Sequence, residues 1–344
     1  VKKIYERVFK ALIYLNPENP LEFRSLFPTN RSLPYLKKHL SGVRFDVVAG
    51  AVQMLLENLV TDWIRKAVEK TGIRTVYTGG GVFMNVKLNK KIAEMPEIEK
   101  AFFMPSCGDE SNPFGAAYEV CKMSGEMPKP LQTLYLGQSY TNEHVLQFLR
   151  KNRANDRYRI HFIEEMEKKI AELLSDFHVV ARLRGRAEWG ARALGNRSIL
   201  ANPSDMKSFF EVNDQIKQRD FWMPFAPSIL AEDASRYIIN PKNISAPHMI
   251  LAFDSTPLAQ DHFRAALHQA DKTLRPQIVV PEDNALYDEL IRHFKTLTGI
   301  GGVMNTSFNL HGYPLVATLE QALWTFENSG LQYLALENYL ISKH

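Results

Sequence analysis

Residues 74–123 alternate between strands, polar loops and helices, and this order constrains the possible fold more than any other feature of the chain. The predicted elements are, in order, a strand at 74–78, a glycine turn at 79–81, a helix at 85–95, a strand at 101–104, a polar loop at 106–111 and a helix at 113–123. Consecutive strands that are separated by helices usually pair in parallel through a crossover connection. We therefore predict an α/β fold.

A proline- and glycine-containing stretch at 124–139 is the predicted boundary between two domains. A chain of 344 residues exceeds one typical domain, so two are expected. Pro128 and Pro130 interrupt regular structure, and the composition suits a linker. We expect a first domain over residues 1–135 and a second over residues 140–344, which continues with helices at 142–150 and 164–177 and a strand at 178–183.

The composition argues against several classes of protein. The chain is 45% hydrophobic and its net charge is +4, which gives no strongly basic field for a nucleic-acid partner. Cys107 and Cys121 form neither a disulfide framework nor a zinc-knuckle spacing, so a reducing compartment and a cytoplasmic location are expected. We find no apolar run that approaches the roughly 18 residues of a membrane span, so no membrane partner is expected.

The segment 182–198 contains five arginines among glycines and small side chains. They are Arg182, Arg184, Arg186, Arg192 and Arg197. A guanidinium group must stay hydrated or find an anion, and it binds phosphate or carboxylate through two parallel hydrogen bonds. We predict a site for an anionic small molecule. The alternative is an RNA-binding patch, which would need flanking aromatic residues and a broader basic field.

Two further segments offer ligands for a phosphorylated molecule. Lys217 and Arg219 would point the same way if they lie on a strand, and could then neutralise a phosphate. The alternative is an ordinary solvated pair. Residues 305–309 (Asn-Thr-Ser-Phe-Asn) follow an apolar strand at 300–304 and offer hydroxyl and amide groups to a nucleotide. A polar turn is the alternative there.

The two loops of the first domain are weaker signals. Gly79, Gly80 and Gly81 would let the backbone approach a phosphate closely, although a structural turn explains such a triplet equally well. Asp109 follows a strand and carries a hard oxygen ligand suited to a divalent cation, and a helix N-cap is the alternative.

Together these segments resemble the O-carbamoyltransferase family, which includes nodulation-factor and antibiotic carbamoyltransferases. The resemblance covers about residues 45–343, and residues 182–198 and 304–309 are its most specific parts. It implies that the first domain is part of an actin/sugar-kinase/Hsp70-like lobe, similar to enzymes that transfer threonylcarbamoyl groups to tRNA. It also implies that the second domain is YrdC-like, similar to the enzymes that make threonylcarbamoyl-adenylate.

The resemblance implies an ATP-dependent enzyme that converts carbamoyl phosphate to carbamoyl-adenylate. The carbamoyl group would then pass to a hydroxyl of a small molecule, with a divalent metal, iron or magnesium, in the transfer site. The residues implied for catalysis are Arg192, Arg197, Lys217, Arg219, Asp271 and Arg275. Those implied for nucleotide binding are Gly79, Gly80, Gly81, Asn85, Ser198, Thr273, Asn305, Ser307 and Asn309, and Asp109 is the implied metal ligand.

The sequence departs from the family pattern in two ways. Ala191 stands where the arginine motif of the family has proline. No H-x-x-x-H pair occurs, and the lobe that carries it in the family is missing, so we expect this chain by itself to be incomplete for carbamoyl transfer. Two alternatives are a tRNA threonylcarbamoylation enzyme and a non-catalytic nucleotide-binding module.

Overall fold

The computed structural model describes residues 1–220 and 222–344, with Thr29 described by its backbone alone. Phe221, which follows the predicted Lys217 and Arg219 pair, lies outside the described residues. The chain forms two compact units, Val1–Gly79 with Lys87–Met104 and Gly80–Val86 with Pro105–His344. The boundary predicted at 136–139 falls inside the second unit, and the division into residues 1–135 and 140–344 stays a prediction.

The first unit is built around one long helix. Its elements are α1 (Lys2–Ile4), β1 (Ile13–Leu15), β2 (Phe23–Ser25), α2 (Leu33–Leu40), α3 (Phe45–Thr71), β3 (Thr75–Thr78), α4 (Val86–Glu94) and β4 (Lys100–Phe103). Strands β3 and β4 pair in parallel, as the alternating pattern predicts. Helix α3 ends at Gly72, whose positive φ of 71° closes the last turn, and Ala51 of this helix packs with Val8 and Phe9 in a small core.

Helix α3 is also the one helix among the described residues that is long and apolar enough to cross a membrane. An 18-residue window within it has a mean hydropathy of 1.2, and 17% of that window is buried in this structure. The expectation that no segment approaches a membrane span is therefore wrong by length and composition. A single such helix is weak support for a membrane, because core helices meet the same criterion.

The second unit carries most of the regular structure. Its helices are α5 (Asn112–Met123), α6 (Asn142–Lys151), α7 (Met166–Ser175), α8 (Met206–Val212), α9 (Ala234–Tyr237), α10 (Pro257–His262), α11 (Pro281–Thr298) and α12 (Leu319–Glu327). Its strands are β5 (Arg159–Phe162), β6 (Val180–Leu183), β7 (Arg197–Ala201), β8 (Ala226–Leu230), β9 (Ile238–Ile239), β10 (Phe253–Ser255), β11 (Thr273–Leu274), β12 (Gln277–Val279), β13 (Gly302–Ser307), β14 (Tyr333–Leu336) and β15 (Tyr339–Ser342).

Eight of these strands form one mixed sheet in the order β12-β8-β13-β7-β6-β14-β15-β5. The pairs β12–β8 and β6–β14 are parallel and the other neighbours are antiparallel. Every residue of the central strands β6, β7 and β8 is buried, and helices α7 and α11 pack against each other. The α/β prediction is thus confirmed as a mixed α/β architecture.

The stretch that was predicted to be a linker contains no helix or strand and is mostly exposed, but one residue in it is buried. Leu134 is buried in a cluster with Leu194, Ala226 and Met249. The carbonyl oxygen of Leu134 accepts a hydrogen bond of 2.7 Å from the N–H of Trp189. The backbone at Leu134 is therefore hydrogen-bonded to the arginine-rich segment. The loops of that segment have no neighbouring strand at this point, and this contact satisfies one of their backbone groups.

Candidate anion-binding site

A cavity of about 60 Å³ in the second unit brings together residues that lie far apart in the sequence. Its polar lining comes from the arginine-rich segment, from the residue after the turn at 218, from the segment after β11 and from the end of β13. These polar lining residues are Arg192, Arg219, Arg275, Asn305, Thr306 and Ser307. Five of the six are predicted site residues, and the described residues that line the cavity include no acidic side chain.

The three arginines of this cavity repel one another as well as being buried. Burial lowers the pKa of Arg275 well below its usual value, and the charges of Arg192 and Arg219 lower it further. Burial, followed by the charge of Arg219, lowers the pKa of Arg192. Three half-buried cations without a carboxylate in the same lining are costly unless an anion joins them. The geometry therefore suits a phosphate or carboxylate ligand.

The loop that presents Arg192 is held by a buried carboxylate, Glu188. Its Oε1 accepts hydrogen bonds from the backbone N–H of Leu194 at 2.6 Å and of Arg197 at 3.2 Å. Burial raises the pKa of Glu188. The sequence analysis missed this residue, although a single acid among five arginines was a usable signal. Glu188 fixes the loop from within, so that Arg192 is placed by local backbone contacts.

Ala191, which stands where the family motif has proline, makes a further contact in the same loop. The N–H of Ala191 donates a 3.3 Å hydrogen bond to the Oγ of Ser106. Gly190 precedes it at a φ of 104°, and a Cβ there would lie 3.0 Å from the Cβ of Ser106. Proline at position 191 has no N–H to donate, so this hydrogen bond depends on the residue that this chain has.

Lys217 and Arg219 do not lie on a strand, so the condition under which they would point the same way is not met. Asn213–Lys217 is one turn of π-helix, and Gln218 has a positive φ of 46°. This turn separates the two side chains. Arg219 lines the cavity, whereas Lys217 is buried and its Nζ donates to the backbone oxygens of Ser307 and Asn309 at 2.5 and 2.9 Å.

Lys217 also donates to the Oγ of Ser307 at 3.1 Å and to the Oδ1 of Asn309. Burial, followed by the charge of Arg219, lowers the pKa of Lys217 to about 6. With four oxygen partners around one nitrogen, Lys217 has no donor left for a ligand in this conformation. It acts on the cavity by holding the residue 307–309 turn, and Ser307 is the member of that turn that lines the cavity.

Asn305 lies on β13, two residues before Ser307 and on the same face of the strand. Its Nδ2 donates to the carbonyl oxygen of Ala193 at 3.2 Å and to the Oγ of Ser228 at 3.0 Å. Its Oδ1 is buried and has no hydrogen-bond partner within residues 1–220 and 222–344. Asn305 also lines the cavity, so one residue of a lining rich in donors carries an acceptor without a partner among the described residues.

Two predicted residues of the arginine-rich motif have structural contacts outside the cavity lining. Arg197 is fully buried and donates to the carbonyl oxygens of Gly185 at 3.1 Å and of Gln138 at 2.8 Å. Ser198 is fully buried, and its Oγ accepts a 3.0 Å hydrogen bond from the N–H of Gly195. Neither residue lines the cavity, so their catalytic and nucleotide-binding roles stay predictions.

Of the three predicted site residues in the motif at 271–275, one lines the cavity and two do not. Arg275 lines the cavity. Asp271 instead accepts a 2.8 Å hydrogen bond from the Oγ1 of Thr273 and lies 2.8 Å from the Nδ1 of His268. Asp271 is exposed, and these contacts form a local turn beside the strand β11. The structure gives Asp271 and Thr273 no place in the cavity lining.

No residue of the loops at 79–85 and 106–111 lines this cavity, although Ser106 accepts a hydrogen bond from the lining residue Ala191. Gly79, Gly80 and Gly81 are exposed, with open space where each Cβ would lie, and the N–H of Asn85 donates to the carbonyl oxygen of Val82. Asp109 is exposed at the start of a short 3-10 turn. Over the described part of the chain, no group of three or more His, Cys, Asp or Glu side chains could hold a metal ion, and the role of Asp109 as a metal ligand stays a prediction.

The second unit thus combines a mixed α/β fold with a cavity whose three arginines, in a described lining without acidic side chains, suit a small anion. Comparison with known proteins is more specific. The family models described as carbamoyltransferase N-terminus and carbamoyltransferase C-terminus match residues 21–118 and 171–343. The chain belongs to the carbamoyltransferase family, and the resemblance predicted from its motifs is confirmed.

Three relatives are similar over most of this chain. Uncharacterized protein MJ1058 of Methanocaldococcus jannaschii is 35% identical over 90% of this chain and 51% of that protein. Nodulation protein NolNO of Sinorhizobium fredii is 29% identical over 99% of this chain and 50% of that protein. The 3'-hydroxymethylcephem-O-carbamoyltransferase of Streptomyces clavuligerus is 27% identical over 80% of this chain and 50% of that protein. The chain spans about half the length of these relatives.

Among solved structures, full-length HypF in a phosphate- and nucleotide-bound form is similar to part of this chain. The match covers 53% of this chain and 22% of that one, at 16% identity and a TM-score of 0.37.

Proposed function

We propose that the second unit forms carbamoyl-adenylate from carbamoyl phosphate and ATP, and that the complete protein transfers the carbamoyl group to a hydroxyl of a small molecule. The observation that carries this proposal is the acid-free cavity lined by Arg192, Arg219 and Arg275. The S. clavuligerus relative is named as an O-carbamoyltransferase, which favours a small-molecule hydroxyl as the acceptor.

The proposed reaction has three stages of bond exchange. Water first releases phosphate from carbamoyl phosphate and leaves carbamate. A carbamate oxygen then attacks the α-phosphorus of ATP, and pyrophosphate leaves with the electrons of the broken P–O bond. An acceptor hydroxyl finally attacks the carbamoyl carbon, losing its proton, and AMP leaves. Each stage gathers phosphate charge, which guanidinium groups stabilise best in a small buried site.

Each cavity residue has a role that follows from its placement. Arg192, Arg219 and Arg275 bind the phosphate oxygens, and Ser307 adds a hydroxyl donor. Lys217 and Asn309 position Ser307. A cavity of about 60 Å³ is far smaller than the roughly 300–1000 Å³ of clefts that enclose drug-sized ligands, so the nucleoside lies outside it.

The remaining expectations are part of the same proposal. The second unit would be YrdC-like, and the first would be part of an actin/sugar-kinase/Hsp70-like lobe that completes its transfer site with residues outside this chain. Asp109 would be the residue of this chain that meets a divalent metal, iron or magnesium. The described residues contain no group of three or more His, Cys, Asp or Glu side chains that could hold a metal ion, so no step is assigned to a metal.

The experiment is carbamoyl-phosphate-dependent exchange of pyrophosphate into ATP by the intact protein. Arg192→Ala and Lys217→Ala are expected to abolish exchange, the first by removing a phosphate ligand and the second by releasing Ser307. Arg264→Ala is the matched control, since this exposed arginine pairs with Asp261 on the surface. Normal exchange in both the Arg192 and Lys217 variants would refute the site.

A further inference from the structure

The side-chain amide of Asn305 has a fixed orientation. The carbonyl oxygen of Ala193 can only accept a hydrogen bond, so the Asn305 atom 3.2 Å away must be the nitrogen. Ser228 donates its own hydroxyl proton to the Oε1 of Gln277 at 2.8 Å, so its oxygen is free to accept from the same nitrogen. The network therefore leaves Asn305 Oδ1 as the atom without a partner.

A buried acceptor without a hydrogen-bond partner destabilises the free protein. A ligand beside Asn305 would supply the missing donor. Asn305 is 2% exposed and borders the cavity of the three arginines. Leaving a buried polar atom unpaired is unfavourable, so a ligand that brings a donor recovers that free energy. The other polar side chains of the lining are guanidinium and hydroxyl groups, which serve the oxygens of an anion.

We propose that Asn305 Oδ1 accepts a hydrogen bond from the amide N–H of the carbamoyl group and so selects carbamoyl phosphate over other acyl phosphates. This inference rests on the proposed function. Carbamoyl phosphate combines a phosphate dianion with a neutral carboxamide, and the cavity combines three cations with one unused acceptor. An acetyl group has the same shape as a carbamoyl group, but its methyl group would leave Oδ1 unpaired.

A pair of stable analogues tests the proposal without turnover. Phosphonoacetamide carries the amide, and acetonylphosphonate carries a methyl group in its place. The binding of both, and of inorganic phosphate, is measured by titration calorimetry on the intact protein. We expect phosphonoacetamide to bind about 10-fold or more tightly than acetonylphosphonate, which is the effect of one unsatisfied buried acceptor.

Two variants assign the preference to this atom. Asn305→Leu keeps the side-chain volume and removes Oδ1, and is expected to bind both analogues equally while it still binds inorganic phosphate. Ser228→Ala, the control, removes one partner of the Asn305 nitrogen and leaves Oδ1 in place, so it is expected to keep the preference. Thermal unfolding of each variant checks that it is folded.

The outcomes separate this inference from the proposed function. Equal binding of the two analogues by the unaltered protein overturns the role of Asn305, and so does a preference that survives in Asn305→Leu. In both cases binding of inorganic phosphate would leave the phosphate site intact. If the protein binds neither analogue nor phosphate, the inference and the proposed function fall together. If Asn305→Leu does not fold, the comparison in the unaltered protein decides.

Discussion

The Nζ of Lys217 lies 3.1 Å from the Oγ of Ser307, although 90 residues separate them in the sequence. The same nitrogen reaches both oxygens of Asn309, and Ser307 Oγ donates to Asn309 Oδ1 at 2.7 Å. This contact joins the end of a helix to the turn after β13. Lys217 thus shapes the anion cavity through Ser307 and not by lining it.

Replacing Lys217 tests this positioning role. In Lys217→Met, the oxygens of Ser307 and Asn309 lose their buried donor, which is expected to lower the free energy of unfolding by about 1–3 kcal/mol and to weaken pyrophosphate binding. Urea unfolding and calorimetry measure the two effects. Lys207→Met, at an exposed lysine, is the control. A Lys217 variant with unchanged stability and affinity would contradict the role.

The lowered pKa of Lys217 predicts a pH dependence of anion binding. Burial holds this pKa at about 6 in the free protein, and a bound anion nearby favours the charged amine and raises it. Binding therefore takes up protons, so affinity rises as the pH falls from about 8 to about 6. Sulfate does not titrate in this range and is a suitable probe.

Calorimetry in buffers of different ionisation enthalpy counts the protons taken up with sulfate. The Lys217→Met variant should take up fewer. Sulfate affinity that is constant over this pH range in the unaltered protein would count against the linkage.

Removing one cation of the cavity should weaken anion binding and raise the free energy of unfolding of the anion-free protein. In Arg275→Met, the mutual repulsion with Arg192 and Arg219 is relieved, so the anion-free protein is expected to gain about 1 kcal/mol of unfolding free energy. Added pyrophosphate should raise the Tm of the unaltered protein and not that of the variant. Arg264→Met serves as the control. A destabilised variant that still responds to pyrophosphate would argue that the cluster is structural.

The contacts of Glu188 predict a difference between two substitutions. Glu188→Ala leaves the N–H groups of Leu194 and Arg197 without their acceptor, which is expected to cost about 2 kcal/mol and to weaken pyrophosphate binding through Arg192. Glu188→Gln retains an acceptor oxygen and should bind pyrophosphate nearly as well as the unaltered protein. Equal losses in both variants would mean that the carboxylate charge, and not its hydrogen bonds, is what the loop needs.

Gly195 is predicted to tolerate no side chain. Its φ is 115°, and a Cβ would collide with the ring of Tyr287. Gly195→Ala is therefore expected to lose about 3 kcal/mol, from backbone strain and a displaced core tyrosine together. Gly299→Ala, with a φ of 75° and open space at its Cβ, isolates the backbone cost of about 1–2 kcal/mol. Denaturant unfolding compares them, and similar losses at the two glycines would disprove the clash.

Local signals in the sequence were sufficient for the helices predicted at 85–95, 113–123, 142–150 and 164–177, but not for α8 to α12. The helix predicted at 113–123 is Asn112–Met123, and the one predicted at 142–150 is Asn142–Lys151. Apolar spacing, glycine stops and capping residues act within a few positions, so they can be read without knowing the fold. The same signals fail at 216–219, where a π-helical turn and a positive φ at Gln218 depend on contacts with the turn at 307–309.

The sequence by itself determined that this chain is an α/β member of the carbamoyltransferase family, and it predicted an anion site in the arginine-rich segment. Only the tertiary structure decided which arginines could serve it. Arg192, Arg219 and Arg275 meet at one cavity, whereas backbone carbonyls enclose Arg197. All four residues have the same side chain. Whether each guanidinium group is engaged by the protein depends on which distant oxygens the fold brings within hydrogen-bond distance of it.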